Sequence, residues 1–539
     1  MSSSTLIEVF GHIVFSLTRG VTEHYNPEEP EFTAESFGYN TLESTGLEWY
    51  YHPIDEVIYQ EYSDREATSW DYLTFSNLEV RVMDACSPED NEETQEDQQN
   101  EDTATAWKRL RPSACNTVCK SMFIGAWISL LAAPIISTVF MLISYLSYKT
   151  IFNCRLLPKE LIPVRVQWTK TISEVILDVS FYFWFFFSLL LLFRPYQLNG
   201  AKGKLFLVCC ILYGLDTLYR IVLQALGKPY YYEPVYFQFP LYTFVITNLC
   251  LQSVILGRHF CMRPSWKNVL PLTCKMALPN CLPLIVFFVV SDHLYKEYNK
   301  HNSDGKMLIA LFAPLIGVIL KVISRICVQR LYNIAHPGYS HVLLAALYYD
   351  SAVVFRVLQA ELESLHSIAI LGIIHGAAEV IERSTMVAID HICHVFWKRQ
   401  SAPWGRFRTP RRERLMADIA IMSMLSESTA IVSVNGFLYL YHFIYLKDIP
   451  ISKLLQSFAI HTSVQLTIEW FFTSMSLAIE TRYQNIAVMA VWRRRCKRHI
   501  LLALICAFPL ALWSSTNIFT IVKGRFNRPL NQSCRMPFT

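Results

Sequence analysis

From Met122 onward the chain is a succession of apolar blocks separated by short polar or basic stretches. Each block is about 20 residues long, the length a helix needs to cross roughly 30 Å of hydrocarbon. The clearest block runs from Met122 to Leu146. Others follow at Thr171 to Leu192, Leu205 to Leu226, Val235 to Leu256, Val269 to Val290 and Met307 to Val328. Gly338 to Lys398 stays apolar on average but is broken by Asp350, Arg356, Glu361, Glu363 and His366; it predicts two long helices whose relation to the bilayer the pattern leaves open. Met416 to Tyr445, Ile451 to Ile479 and Ile500 to Ile521 complete the set. The pattern predicts an all-α, polytopic helical membrane protein with about nine to eleven transmembrane helices.

Some of these helices carry polar stripes. At about 100° per residue, His375, Glu379, Glu382, Arg383, Asp390 and His394 fall within roughly 120° of arc. Ile373, Val380, Ile381, Val387, Ile392, Val395 and Phe396 take the other side. A second stripe joins His461, Gln465, Glu469, Thr473, Ser476 and Glu480, and the segment between the two carries Glu427 among Ser423, Ser426 and Ser428. A helix with such a face in hydrocarbon must turn it toward protein or water. The stripes therefore predict a substrate or ion path built from His375, Glu379, Glu382, Arg383, Asp390, His394, Glu427, His461, Glu469 and Glu480.

Charges on the earlier spans sharpen this picture. Glu174 and Asp178 lie one turn apart on the second span, with Lys170 one turn before them, and Asp216 and Arg220 are likewise spaced on the third; they predict an intramembrane charge cluster. Lys321 and Arg325 fall near a span end, where long basic side chains reach back to the interface. Glu379 shares its face with Glu382 and Asp390, more acid than Arg383 alone neutralises. That face needs a further cation, with Lys275 and Arg220 as candidates, or a protonated acid, or water.

Hydrophobic residues make up 53% of the 539, and the net charge of +4 hides a strong segregation. Residues 1–106 hold 24 Asp and Glu against 3 Arg, a net of −21, and the rest of the chain carries +25. The expected organisation is an acidic soluble N-terminal region at 1–106, a six-span membrane region at 107–330, polar-faced helices and a basic loop at 331–414, C-terminal spans at 415–522 and a tail at 523–539. Residues 87–102, SPEDNEETQEDQQNED, have nothing apolar to bury and read as a disordered tether, so the N-terminal region is expected to be partly disordered. Seven Lys and Arg between Lys398 and Arg414, and the run Arg493 to Arg498, predict cytoplasmic loops attracted to anionic lipid. Positive loops beside spans give no reason to expect a nucleic-acid partner. The acidic region is a candidate for recruiting a protein partner, and Asn531-Gln532-Ser533 is a glycosylation sequon.

Catalytic signatures are missing. There is no H-E-x-x-H, G-x-S-x-G, Walker loop or Gly-rich dinucleotide turn, and the one Glu-x-x-His triplet, Glu363 to His366, has no second copy. No metal and no cofactor is expected. The sequence points to an integral multi-pass transporter or channel for a small solute or ion, with charged residues lining its interior, rather than to an enzyme. The alternatives are a receptor or scaffold that recruits partners through the acidic region, and a membrane-embedded enzyme using the His and carboxylate residues.

Overall fold

A computed structural model describes residues 114–522, apart from connecting positions at 156–162, 194–196, 228–233, 262–264, 290–297, 299, 301–302, 332–333, 336, 361, 363, 399–409, 446–449, 485 and 487. The expectations for residues 1–106, for most of the basic loop and for Asn531 fall outside these described residues.

Twelve α-helices and no strand are present among the described residues. They are α1 (Ala114–Trp127), α2 (Ala133–Arg155), α3 (Val164–Leu192), α4 (Lys202–Ala225), α5 (Pro234–Phe260), α6 (Trp266–Val289), α7 (Ser303–Gln329), α8 (Ala345–Ala360), α9 (Leu365–Lys398), α10 (Pro410–Tyr445), α11 (Ile451–Arg482) and α12 (Val488–Val522). One π-helical turn, Ile128–Ala132, joins α1 to α2, and a 3₁₀ helix, Pro337–Leu343, precedes α8. Six stretches are long and apolar enough to cross a membrane: the joined α1 and α2, then α3, α4, α7, α9 and α10. The protein is therefore a multi-pass helical membrane protein. Helices α5, α6, α11 and α12 hold 27, 24, 32 and 35 residues, enough for about 30 Å on length alone.

Local chemistry sets several of the breaks. Pro163 and Pro450, both extended, stand immediately before α3 and α11, where a fixed φ favours a helix start. Gly200 and Gly227 have φ of +83° and +70° and bracket α4, a conformation that other residues adopt at a cost. Pro134 lacks an N–H and would crowd the carbonyl four residues back; the π turn at Ile128–Ala132 is the adjustment that keeps the helix running.

Helix α10 is the column the others surround. Its membrane-spanning part is buried throughout, and it packs against α2, α8, α11 and α12. Ala417, Ala420, Ser423, Ser426, Ser428, Ala430 and Ser433 keep it slim, so neighbouring backbones approach closely. The hydroxyls then cross-link: Ser129 Oγ lies 3.1 Å from Ser428 Oγ, Ser433 donates to Ser137 Oγ at 3.1 Å, and Ser137 donates to the Thr429 carbonyl at 3.0 Å. Helices α3 to α6 pack in sequence around one side, and α9 lies between α7 and α11.

Helix α9 is inside out by the standard of a soluble protein. Glu379, Arg383, Asp390 and His394 are buried, while Ile373, Ile381, Ile392 and Phe396 are exposed to the lipid side. The apolar stripe read from sequence is not lipid-facing throughout. Val380 and Val387 turn inward, Val380 against Ile479, because α11 closes over that edge of α9.

The α9–α11 contact depends on Gly376. A Cβ there would sit 2.4 Å from Phe472 Cδ2 and 3.1 Å from Phe472 Cβ, and the second atom cannot move without moving α11. Gly376→Ala is expected to destabilise the protein by about 1–3 kcal/mol through overpacking. Gly214→Ala on α4, where a Cβ meets nothing within 4 Å, should be neutral or slightly stabilising. Thermal unfolding of the two detergent-solubilised variants checks this; equal melting temperatures would refute the close approach.

Candidate functional site

The inward face of α9 forms a ladder of ion pairs with its neighbours. Between His375 and Asp390 it rises about 22 Å, most of the hydrocarbon thickness. Near the start of this stretch His375 Nε2 lies 3.6 Å from Glu427 Oε1 on α10, and the Ser423 hydroxyl of α10 donates to Glu379 Oε1 at 2.8 Å. Pairing 375 with 427 and 379 with 423 makes α9 and α10 antiparallel. The next partner is α11, where Arg383 grips Glu480 through both carboxylate oxygens, at 2.8 and 2.7 Å, and stands 3.9 Å from Glu379. Further along, α7 contributes Lys321, 3.7 Å from Glu382, and Arg325, which meets Asp390 at 2.6 Å; Gln329 adds a 2.6 Å hydrogen bond to Asp390.

Arg356 of α8 completes the upper rungs. It donates to Glu427 Oε2 at 3.2 Å, to Glu469 Oε2 of α11 at 2.6 Å, and to Gln359 at 2.9 Å. Thr473 donates to the second oxygen of Glu469. Five helices, α7 to α11, thus supply one connected polar interior. Bidentate guanidinium contacts suit it, because a lone buried charge costs several kcal/mol whereas a paired one recovers much of that.

Beside the upper rungs lies a cavity of about 120 Å³, room for several waters. Its wall is apolar, formed by residues such as Leu311, Leu315 and Val354, and its polar floor is Lys321, His375, Glu379, Glu382 and Glu427. Pro314, within α7, also lines the cavity, and its missing N–H leaves the Ala310 carbonyl without its usual intrahelical donor. The His375 ring is held by stacking on Phe355, centroids 3.8 Å apart.

Not every residue of the expected path converges here. His375, Glu379, Glu382, Arg383, Glu427, Glu469 and Glu480 do. Asp390 sits lower with Arg325, and His394 is buried about one turn beyond it. His461 is apart from the ladder, taking a hydrogen bond at 3.0 Å with Tyr439 and one at 2.9 Å with the Ser457 carbonyl. The earlier group forms its own cluster: Arg220 pairs with Asp178 and, at 2.8 Å, with Asp216, while Lys170 lies 3.7 Å from Glu174.

Two expectations need correction. Lys321 and Arg325 do not reach for the interface; both are buried and spent on Glu382 and Asp390. The extra cations for the α9 face accordingly come from α7 and α8, not from Lys275 or Arg220. Arg220 is already committed to its own two carboxylates.

Sequence reasoning also passed over residues that matter. Arg356 and Asp350 registered only as interruptions. Asp350 is fully buried, and neither of its oxygens has a hydrogen-bond partner among the described residues. At the ends of α10 and α12, His341, Asp418 and His499 form a separate knot: His499 Nε2 lies 3.0 Å from Asp418 Oδ1, the His341 and His499 rings stack at 4.6 Å, and Arg414 holds Asp418 at 3.1 and 3.3 Å. The knot puts the starts of α10 and α12 at one end of the bundle. Its residues lie far apart in the chain, so no local pattern announces it.

Two measurements test this account. Arg383→Met leaves Glu480 buried without its bidentate partner and should cost about 3–5 kcal/mol, whereas adding Glu480→Met should recover part of the loss; additive losses in the double variant would show that the pair is not coupled. The second concerns His341, in the 3₁₀ helix outside the spans. Burial, reinforced by His499, Arg498 and Arg414 and opposed by Asp418, holds its imidazole well below the usual range. A folded-state value below the unfolded one means the unfolded chain takes up a proton first as pH falls. Stability should then drop by up to about 1.4 kcal/mol per pH unit below about pH 6.5. His341→Gln should flatten that slope in detergent melts, and an unchanged slope would remove His341 as its source.

No protein-family model, no curated protein and no solved structure matches this chain.

Proposed function

We propose that this protein is a transporter or channel for a small ion or cationic solute, and that the cargo engages the polar floor of the cavity between α7 and α9. One observation carries the reading. Beside the cavity, four buried carboxylates (Glu379, Glu427, Glu469 and Glu480) meet two guanidiniums (Arg356 and Arg383). Arg356 and Arg383 are each shared between two acids, so the shortfall lies at the level of Glu379, Glu427 and Glu469. Packing alone favours balanced pairs in hydrocarbon, since every uncompensated charge is costly. A surplus of acid beside a cavity is what a site for a passing cation requires.

The test is flux through proteoliposomes containing the purified full-length protein, read with indicators for protons, sodium and manganese. Wild type is expected to pass at least one of these cations. Glu427→Gln and Glu379→Gln should each slow passage by about tenfold or more, roughly 1.4 kcal/mol or above. Neither change strands a cation, because Arg356 keeps Glu469 and Arg383 keeps Glu480. Ile392→Ala, on the lipid side, should leave the rate unchanged. Liposomes that remain tight to all three cations would refute the reading.

A further inference from the structure

We propose that His375, Glu379 and Glu427 bind a divalent transition-metal ion at the floor of the cavity. The inference rests on the reading that this cavity receives a cation, and it narrows that cation to a class. Three things converge.

The first is geometry. One nitrogen of His375 and one oxygen from each of Glu379 and Glu427 lie within 4.8 Å of one another, on two antiparallel helices. Metal–ligand distances of about 2.0–2.2 Å bring such atoms to roughly 3.0–3.6 Å apart, so side-chain adjustments of about 1 Å close the site without moving a helix.

The second is that the groups beside the candidate ligand atoms are already held. His375 Nε2 makes no hydrogen bond and stands 3.6 Å from Glu427 Oε1. Ser423 engages Glu379 Oε1 and Arg356 engages Glu427 Oε2, while Glu427 Oε1 faces the imidazole. Such outer partners fix the orientation of a ligating carboxylate, and the stack on Phe355 does the same for the ring. Lys321, which also lines the cavity, is opposed by Glu382.

The third is charge and ligand type. The surplus of two carboxylates is what one dication neutralises. An imidazole nitrogen beside two carboxylate oxygens suits zinc, manganese, iron or cobalt better than calcium or magnesium, which take oxygen ligands almost alone. The other His–carboxylate group, His341, Asp418 and His499, is a poorer candidate because Arg414 already occupies both oxygens of Asp418.

The purified full-length protein, stripped with chelator, is titrated with Co²⁺ as a visible-absorption probe and then with Zn²⁺. The expected result is one Co²⁺ per chain with the intense bands of a four- or five-coordinate site, displaced by Zn²⁺. X-ray absorption of the zinc-loaded wild type should fit one imidazole among oxygen ligands. A fit that demands two imidazoles would place the metal at His341 and His499 and overturn the proposal, with no variant needed. His375→Gln should weaken Co²⁺ binding by about a hundredfold or more, while His499→Gln should leave it; Co²⁺ bound by His375→Gln as tightly as by wild type would also overturn it. Failure of this inference is distinguishable from failure of the transport reading. Protein that binds Co²⁺ but passes no cation keeps the site and loses transport, whereas protein that passes protons or sodium without binding Co²⁺ keeps transport and loses the site.

Discussion

A charge placed in hydrocarbon must find an opposite charge within a few ångströms, and the second half of this molecule is arranged by that requirement. The ladder on α9 is laid out by its partners. Glu382 and Asp390 are eight residues apart, about two helical turns, while Lys321 and Arg325 lie four residues apart on α7, with Gln329 a further turn along. Matching rungs in the same order makes α7 run parallel to α9. The pairing of Arg383 with Glu480, and the seat of Gly376 against Phe472, do the same for α11. Electrostatics here does what apolar burial does in water: it sets register and direction. Lipid tails are as apolar as leucine, so greasy surface alone offers helices little reason to choose one neighbour over another.

The same constraint explains α10. A helix that receives partners on every side has no lipid face, and it must be thin if four neighbours are to reach it. Serines and alanines satisfy both conditions, since the hydroxyls bond across to α2 and α9 while the small side chains admit close backbones. Glu427 sits in that slim, hydroxyl-rich column. Arg356 reaches it from α8 and His375 from α9, and Glu427 itself lines the cavity.

How much of this the sequence disclosed follows from what is local. The blocks of about 20 apolar residues located the helices, because backbone satisfaction in lipid leaves hardly any other structure available. Two long helices were expected between Gly338 and Lys398; that stretch holds one long helix, α9 of 34 residues, and the short α8 of 16. The polar arc from His375 to His394 was visible because helical periodicity places those residues on one face whatever the partner. What lies across from that face was not visible. Arg356, Lys321 and Arg325 looked like an interruption and two span-end charges because a charge pair between helices leaves no mark on either helix alone. Val380 and Val387, both buried, show the same limit: apolarity says that a residue leaves water, not whether lipid or protein receives it.

The ladder is not uniform along its length. Lower down, each acid has its own cation: Glu382 has Lys321, and Asp390 has Arg325 with Gln329 in support. Higher up, two guanidiniums serve Glu427, Glu469, Glu379 and Glu480. If the ladder only held helices together, the unbalanced end would be its weak point, and a lysine at Ser423 or a leucine at Glu379 would improve it. The imbalance instead coincides with three other departures from good packing: the cavity, a proline in α7 beside it, and an imidazole nitrogen that makes no hydrogen bond. Any one of these is tolerable in a large membrane protein. Their superposition on three residues of two antiparallel helices, with the outer oxygens of both glutamates already held, is difficult to account for by stability and is the arrangement a preorganised cation site needs.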